Sequence, residues 1–166
     1  MKAFYGAEIN FSENPKLLWN IVLTTVFNKN ANYVEFIKES NSFDSDITYE
    51  ISSFIQSLPS TDMIERKIFR QGDIKPYTRI LLTDELKQLF LREDVNLTTW
   101  SMIDYIDPCF YKDNQLLLST HASTSSIDII ESLCDENLYQ ELYNCELIKW
   151  QSIEDTQPEV INSRWK

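Results

Sequence analysis

Apolar residues alternate at the start of the chain and then switch to helical spacing. Ala3, Tyr5, Ala7, Ile9 and Phe11 recur at every second position against Lys2, Phe4, Gly6, Glu8 and Asn10, which predicts a first strand. Asn14-Pro15 supplies an N-cap and a first helical residue. Leu17, Leu18, Ile21, Val22, Thr25 and Val26 then repeat at three and four, predicting a helix over 15–28 that ends in the polar run 28–32. Tyr33 to Lys38 is rich in β-branched and aromatic residues and reads as a short strand. Ile47, Ile51, Phe54, Ile55 and Leu58 predict a second helix, stopped by Pro59.

The middle and end of the chain are read the same way. Asp62-x-x-Glu65 has the spacing of a capping box, with Ile64 and Ile68 on one face and Gly72 as a stop, so a helix is expected there. Thr83 followed by Asp84 and Glu85 opens another helix, whose buried face is Leu86, Leu89 and Phe90. Met102 to Ile106 predicts a strand, and Cys109–Tyr111 with Gln115–Thr120 a β-hairpin. Residues 120–126 are small and polar, a loop or an edge strand, and Ile127, Ile129 and Ile130 begin a further element. Asn137 with Gln140 three later reads as a capping box opening a short helix through Tyr143. Cys145 to Trp150 has strand character. The expected fold is α+β: a single compact domain over 1–151, an antiparallel sheet packed with several helices, and a polar C-terminal tail over 152–166.

Composition narrows the function classes. At 166 residues one hydrophobic core is available, since folding at this size hides roughly 70% of the unfolded chain's surface. Only two glycines are present, which excludes glycine-rich phosphate loops and dinucleotide fingerprints. No apolar stretch is long enough to span a membrane as a helix. Cys109, Cys134 and Cys145 are odd in number, without a CxxC, and the start of the chain carries no signal-like apolar run. A cytoplasmic protein with reduced thiols is therefore expected.

Candidate chemistry is sparse. The lone histidine, His121, has hydroxyl neighbours but no nucleophile elbow, and is expected as a surface or hairpin residue. The cysteines and His121 lack zinc-ligand spacing, so no metal and no cofactor is expected. Glu85-Leu86-Lys87 has the letters of a nuclease acid-x-Lys motif, but falls on a helix start rather than a strand. Asp104 and Asp107 mark a strand end where paired carboxylates could sit, with nothing to select them. No catalytic residue is assigned.

Charge carries more information. Residues 1–83 hold 10 acids and 9 bases; residues 84–166 hold 16 acids and 6 bases. Between 128 and 159 nine acids face Lys149 alone. Such a field repels nucleic-acid phosphates and anionic lipid, and attracts basic macromolecules. The one counter-patch is Arg66, Lys67, Arg70, Lys75 and Arg79, a solvated face or a partner for the chain's own acids. In the acidic third, Tyr139 and Tyr143 lie four apart beside Leu138 and Leu142, with acids at both ends of the helix. Tyrosine among carboxylates suits a protein interface: the ring gives contact area, the hydroxyl a hydrogen bond, and the carboxylates hold Lys or Arg. The expected partner-binding residues are Asp135, Glu136, Tyr139, Tyr143, Glu146 and Trp150. The expected role is a non-enzymatic acidic binding protein of immunity or toxin-inhibitor type, blocking a basic toxin such as a nuclease. The alternatives are an acidic nucleic-acid mimic and an enzyme of unrecognised type. Neither nucleic acid nor membrane is expected as a partner.

Overall fold

Local signals account for the helices. Asn14 Oδ1 accepts the Leu17 amide at 3.0 Å and Pro15 fills the first turn, so α1 runs Pro15–Asn28 as its spacing predicts. Ser45 and Thr48 form a reciprocal capping box at the start of α2 (Asp46–Ser57). Thr83 Oγ1 accepts the Leu86 amide at 3.2 Å and opens α3 (Asp84–Leu91), which places Glu85-Leu86-Lys87 on a helix. The last helix, α4 (Glu136–Tyr143), starts earlier than the Asn137–Gln140 spacing predicts. Asp135 is its cap, accepting the Leu138 amide at 2.8 Å, and Glu136 adds a second acid at the positive end of the helix. These elements belong to a computed structural model that describes residues 2–39, 45–68, 73–152 and 159–163.

The strands are β1 (Lys2–Glu8), β2 (Tyr33–Lys38), β3 (Ser60–Lys67), β4 (Ile74–Leu81), β5 (Tyr105–Lys112), β6 (Gln115–His121), β7 (Ser126–Ile130), β8 (Glu146–Ser152) and β9 (Glu159–Ser163). They form one sheet in the order β3-β4-β2-β5-β6-β7-β1-β8-β9, antiparallel at every pairing. The fold is α+β in one domain, and no helix of the described residues is long and apolar enough to cross a membrane.

Three expectations are corrected. The helix expected from Asp62 is instead β3, hairpinned with β4: Ile64 pairs with Tyr77 and Arg66 with Lys75. Gly72, its expected stop, lies outside the described residues. The capping-box letters were a weak local preference, overridden by cross-strand pairing and by the use of Arg66 described below. The strand expected over 102–106 begins only at Tyr105, because Asn96 and Thr99 close a capping box on a single 3-10 turn at Leu97–Ser101. Finally, part of the predicted tail, Glu159–Ser163, is paired to β8 as an edge strand.

The four α-helices of the described residues share one cluster with one face of the sheet. Leu18, Trp19, Val22 and Val26 of α1, Ile51 and Ile55 of α2, Leu86 and Phe90 of α3, and Leu138 and Leu142 of α4 pack with Val34, Phe36, Ile80, Phe110, Leu118, Ile127, Ile129 and Leu147 from the strands. Trp100 fills the centre, with its ring 4.5 Å from Phe90 and 5.5 Å from Phe36. On the opposite face, Ile37, Tyr77, Cys109 and Tyr111 make a smaller cluster.

Candidate protein-interaction surface

The cap at Asp135 and the buried pair Leu138 and Leu142 fix which way α4 faces. Turning 3.6 residues per turn, a helix with those two inward carries Glu136, Tyr139 and Tyr143 along one flank, at i, i+3 and i+7. Tyr139 is half-buried, its ring 5.2 Å from Tyr5 and 6.0 Å from Tyr143. Tyr143 is 44% exposed. At the foot of this flank Tyr5 donates to Glu131 Oε1 at 3.2 Å, and Lys149 Nζ donates to the same oxygen at 2.7 Å. Burial and the Glu131 carboxylate together push the Tyr5 phenol up to about 12. Glu136 and Glu141 are exposed on α4.

Two of the six sequence-predicted residues are elsewhere. Leu147 points into the helix-side core, so Glu146, Ile148 and Trp150 point to the other side of the sheet. There Glu146 stands opposite Glu8, and Trp150 opposite Phe4. Trp150 also stands close over Gly6, where a Cβ would lie 2.9 Å from its Nε1 and 2.6 Å from Asp128 Oδ1, so the strands approach only because that residue is glycine. Asp135, Glu136, Tyr139 and Tyr143 therefore form one surface, and Glu146 and Trp150 belong to another. Asp135 is also a structural cap, a role the sequence reading missed although Asp before a helix start signals it.

Two residues of the basic counter-patch, Arg66 and Arg79, turn inward, while Lys67 is exposed and Arg70 lies outside the described residues. Glu35 is fully buried; Arg66 grips it through Nε at 2.5 Å and Nη2 at 3.0 Å, and Arg79 through Nη1 at 2.7 Å. The Arg79 guanidinium lies 3.9 Å from the Tyr33 ring and that of Arg66 4.8 Å from Tyr111. Elsewhere Arg92 pairs with Glu50 and Asp94, Lys75 with Glu39, and Lys149 with Glu131. Among the described residues no cation pairs with Asp135, Glu136, Glu141 or Glu146.

Of the two places expected for His121, surface or hairpin, it takes the second, at the turn from β6 to β7. It ends β6 buried, with Nε2 3.5 Å from Asp128 Oδ2 on β7. The reason is strand parity: His121 pairs with Ser126 and Ser119 with Asp128, so the imidazole and the carboxylate share a face. Asp107, in the left-handed region at φ 50°, accepts the Ala122 amide at 2.9 Å, and burial raises its carboxyl above the usual range. Cys109 and Cys134 are thiols outside any disulfide, pushed up to about 12 by burial, and Cys145 is a buried thiol that donates to the Glu141 carbonyl. The described residues contain no group of three or more His, Cys, Asp or Glu that could hold a metal. No family model matches the chain, and no curated protein or solved structure matches it.

Proposed function

We propose that this chain is a non-catalytic acidic binding protein, an inhibitor of immunity type that neutralises a basic toxin such as a nuclease by covering its active site. The observation that carries the reading is the unanswered charge of α4: Asp135, Glu136 and Glu141 have no cation among the described residues, while the paired arginines and lysines answer other acids. Tyr139 and Tyr143, on the flank of α4 that carries Glu136, add contact area that solubility alone does not require. A surface of that kind complements a cleft built to hold phosphates, and speeds encounter with it at low salt.

The test uses the whole chain as bait in its native cells, beside a Glu136→Lys/Glu141→Lys variant. Asp135 is left intact, because removing a cap costs about 0.5–2 kcal/mol by itself. The parent is expected to recover a basic protein in stoichiometric amounts, with an association rate that falls steeply with salt, and the variant to lose it. Equal recovery by the variant moves the interface away from α4. An acidic partner, or turnover of a substrate by the isolated chain, overturns the reading.

A further inference from the structure

Helices α2 and α3 leave a groove of about 320 Å³ between them. Its lining follows from helical spacing. Glu50 and Phe54 are four apart on α2; Glu85, Gln88, Leu89 and Arg92 occupy i, i+3, i+4 and i+7 on α3. Each helix thus turns one stripe toward the other. Phe54, half-buried, and Leu89, buried, make an apolar floor, and the charged residues stand on the rim. Among the described lining residues Arg92 is the one cation, and it is already engaged. Its Nη1 donates to Glu50 Oε1 at 2.7 Å, while Nε and Nη2 donate to Asp94 at 3.0 and 2.8 Å. That bridge ties α3 to α2 at one end of the groove. With Arg92 satisfied, Glu85 and the excess of the Glu50–Arg92–Asp94 group leave the rim negative.

We infer that this groove receives an amphipathic basic helix of a protein partner, which seats a large apolar side chain on Phe54 and Leu89 and sets Lys or Arg against Glu85 and Glu50. The volume lies at the small end of ligand sites, about 300 Å³ upward, and suits an anchoring side chain. An apolar floor with an acidic rim is the complement of an apolar stripe flanked by bases. The inference rests on reading the chain as an acidic binding protein, and it places a contact on a surface separate from α4.

The experiment is a titration of the ¹⁵N-labelled full chain with a synthetic Lys/Leu amphipathic helical peptide, with a Glu/Leu peptide of the same apolar pattern alongside. The Lys/Leu peptide is expected to shift the amides of Phe54, Gln88 and Leu89, and the Glu/Leu peptide to leave them. Glu85→Lys, an exposed change, should weaken binding about tenfold, and Gln88→Trp, which fills the groove, should abolish it. Shifts confined to α4 overturn the groove and leave the acidic-surface reading intact. Equal binding of both peptides, no binding of either, or uptake of a small apolar dye without the peptide also overturns it. Failure of the broader reading shows separately, as capture of an acidic partner or turnover of a substrate by the isolated chain.

Discussion

Glu35 and the carboxylates of α4 stand at opposite limits of how one chain treats a negative charge. Glu35 lies under the β2–β4 end of the sheet with no exposed surface, and two guanidinium groups hold both its oxygens. Glu136 and Glu141 stand on the outside of α4, with no cation among the described residues to match them. Burial explains the first arrangement. A carboxylate out of water is tolerated only when paired and hydrogen-bonded. Nothing in folding demands the second, because an exposed acid is content with water. Glu35 is answered because the fold requires it, whereas the charges of Glu136 and Glu141 are left to solvent.

The sharpest way to break the contrast is to remove Glu35. Glu35→Gln keeps the shape but removes the negative charge that Arg66 and Arg79 share, Arg79 being only 6% exposed. The expected loss is about 3–5 kcal/mol, read from urea denaturation. A loss below about 1 kcal/mol would mean that the two arginines find water as easily as Glu35, and that the interior end of the comparison is wrong.

The next largest effect separates the two sides of α4 itself. Leu142→Ala, at a position with no exposed surface, should cost about 2–5 kcal/mol. Glu136→Lys/Glu141→Lys should change the unfolding free energy read from urea denaturation by no more than about 0.5 kcal/mol, as surface substitutions usually do. If the charge reversals proved as costly as the leucine change, the acids would be part of the fold rather than an outward surface.

What the sequence made legible was whatever chemistry acts over a few residues. Asn14-Pro15 and Thr83-Asp84-Glu85 announce α1 and α3 because a cap bonds within its own first turn. The helical stripe of Leu138 and Leu142 likewise revealed which side of α4 faces out. β3 was illegible for the opposite reason. Its strand state depends on β4 and on Arg66 reaching Glu35, thirty-one positions earlier in the chain. β9 depends on an edge of β8 that no local pattern marks. Nearness in sequence places Glu146 and Trp150 beside α4, but alternation about the apolar Leu147 turns both to the opposite face of the sheet.

Asp107 offers the smallest effect and a third treatment of charge. It is partly buried with no arginine on it; only the Ala122 amide and the charge of His121 favour its ionised form. Desolvation dominates, so its carboxyl titrates above the usual range in the folded state. The sign follows from proton counting. Between the ordinary aspartate range and this raised value the folded protein binds more protons than the unfolded chain, so this residue's contribution to stability falls as pH rises through that window. Above the window the cost of burying the charge is present in full. Asp107→Asn keeps an oxygen for the Ala122 amide and suits a positive φ, but has nothing to ionise. The variant should therefore be relatively more stable at neutral pH than in acid, and urea midpoints of both proteins across that interval read the difference. A difference independent of pH would show that Asp107 is as well solvated as the acids of α4, and would place it on the outer side of the comparison rather than between the two.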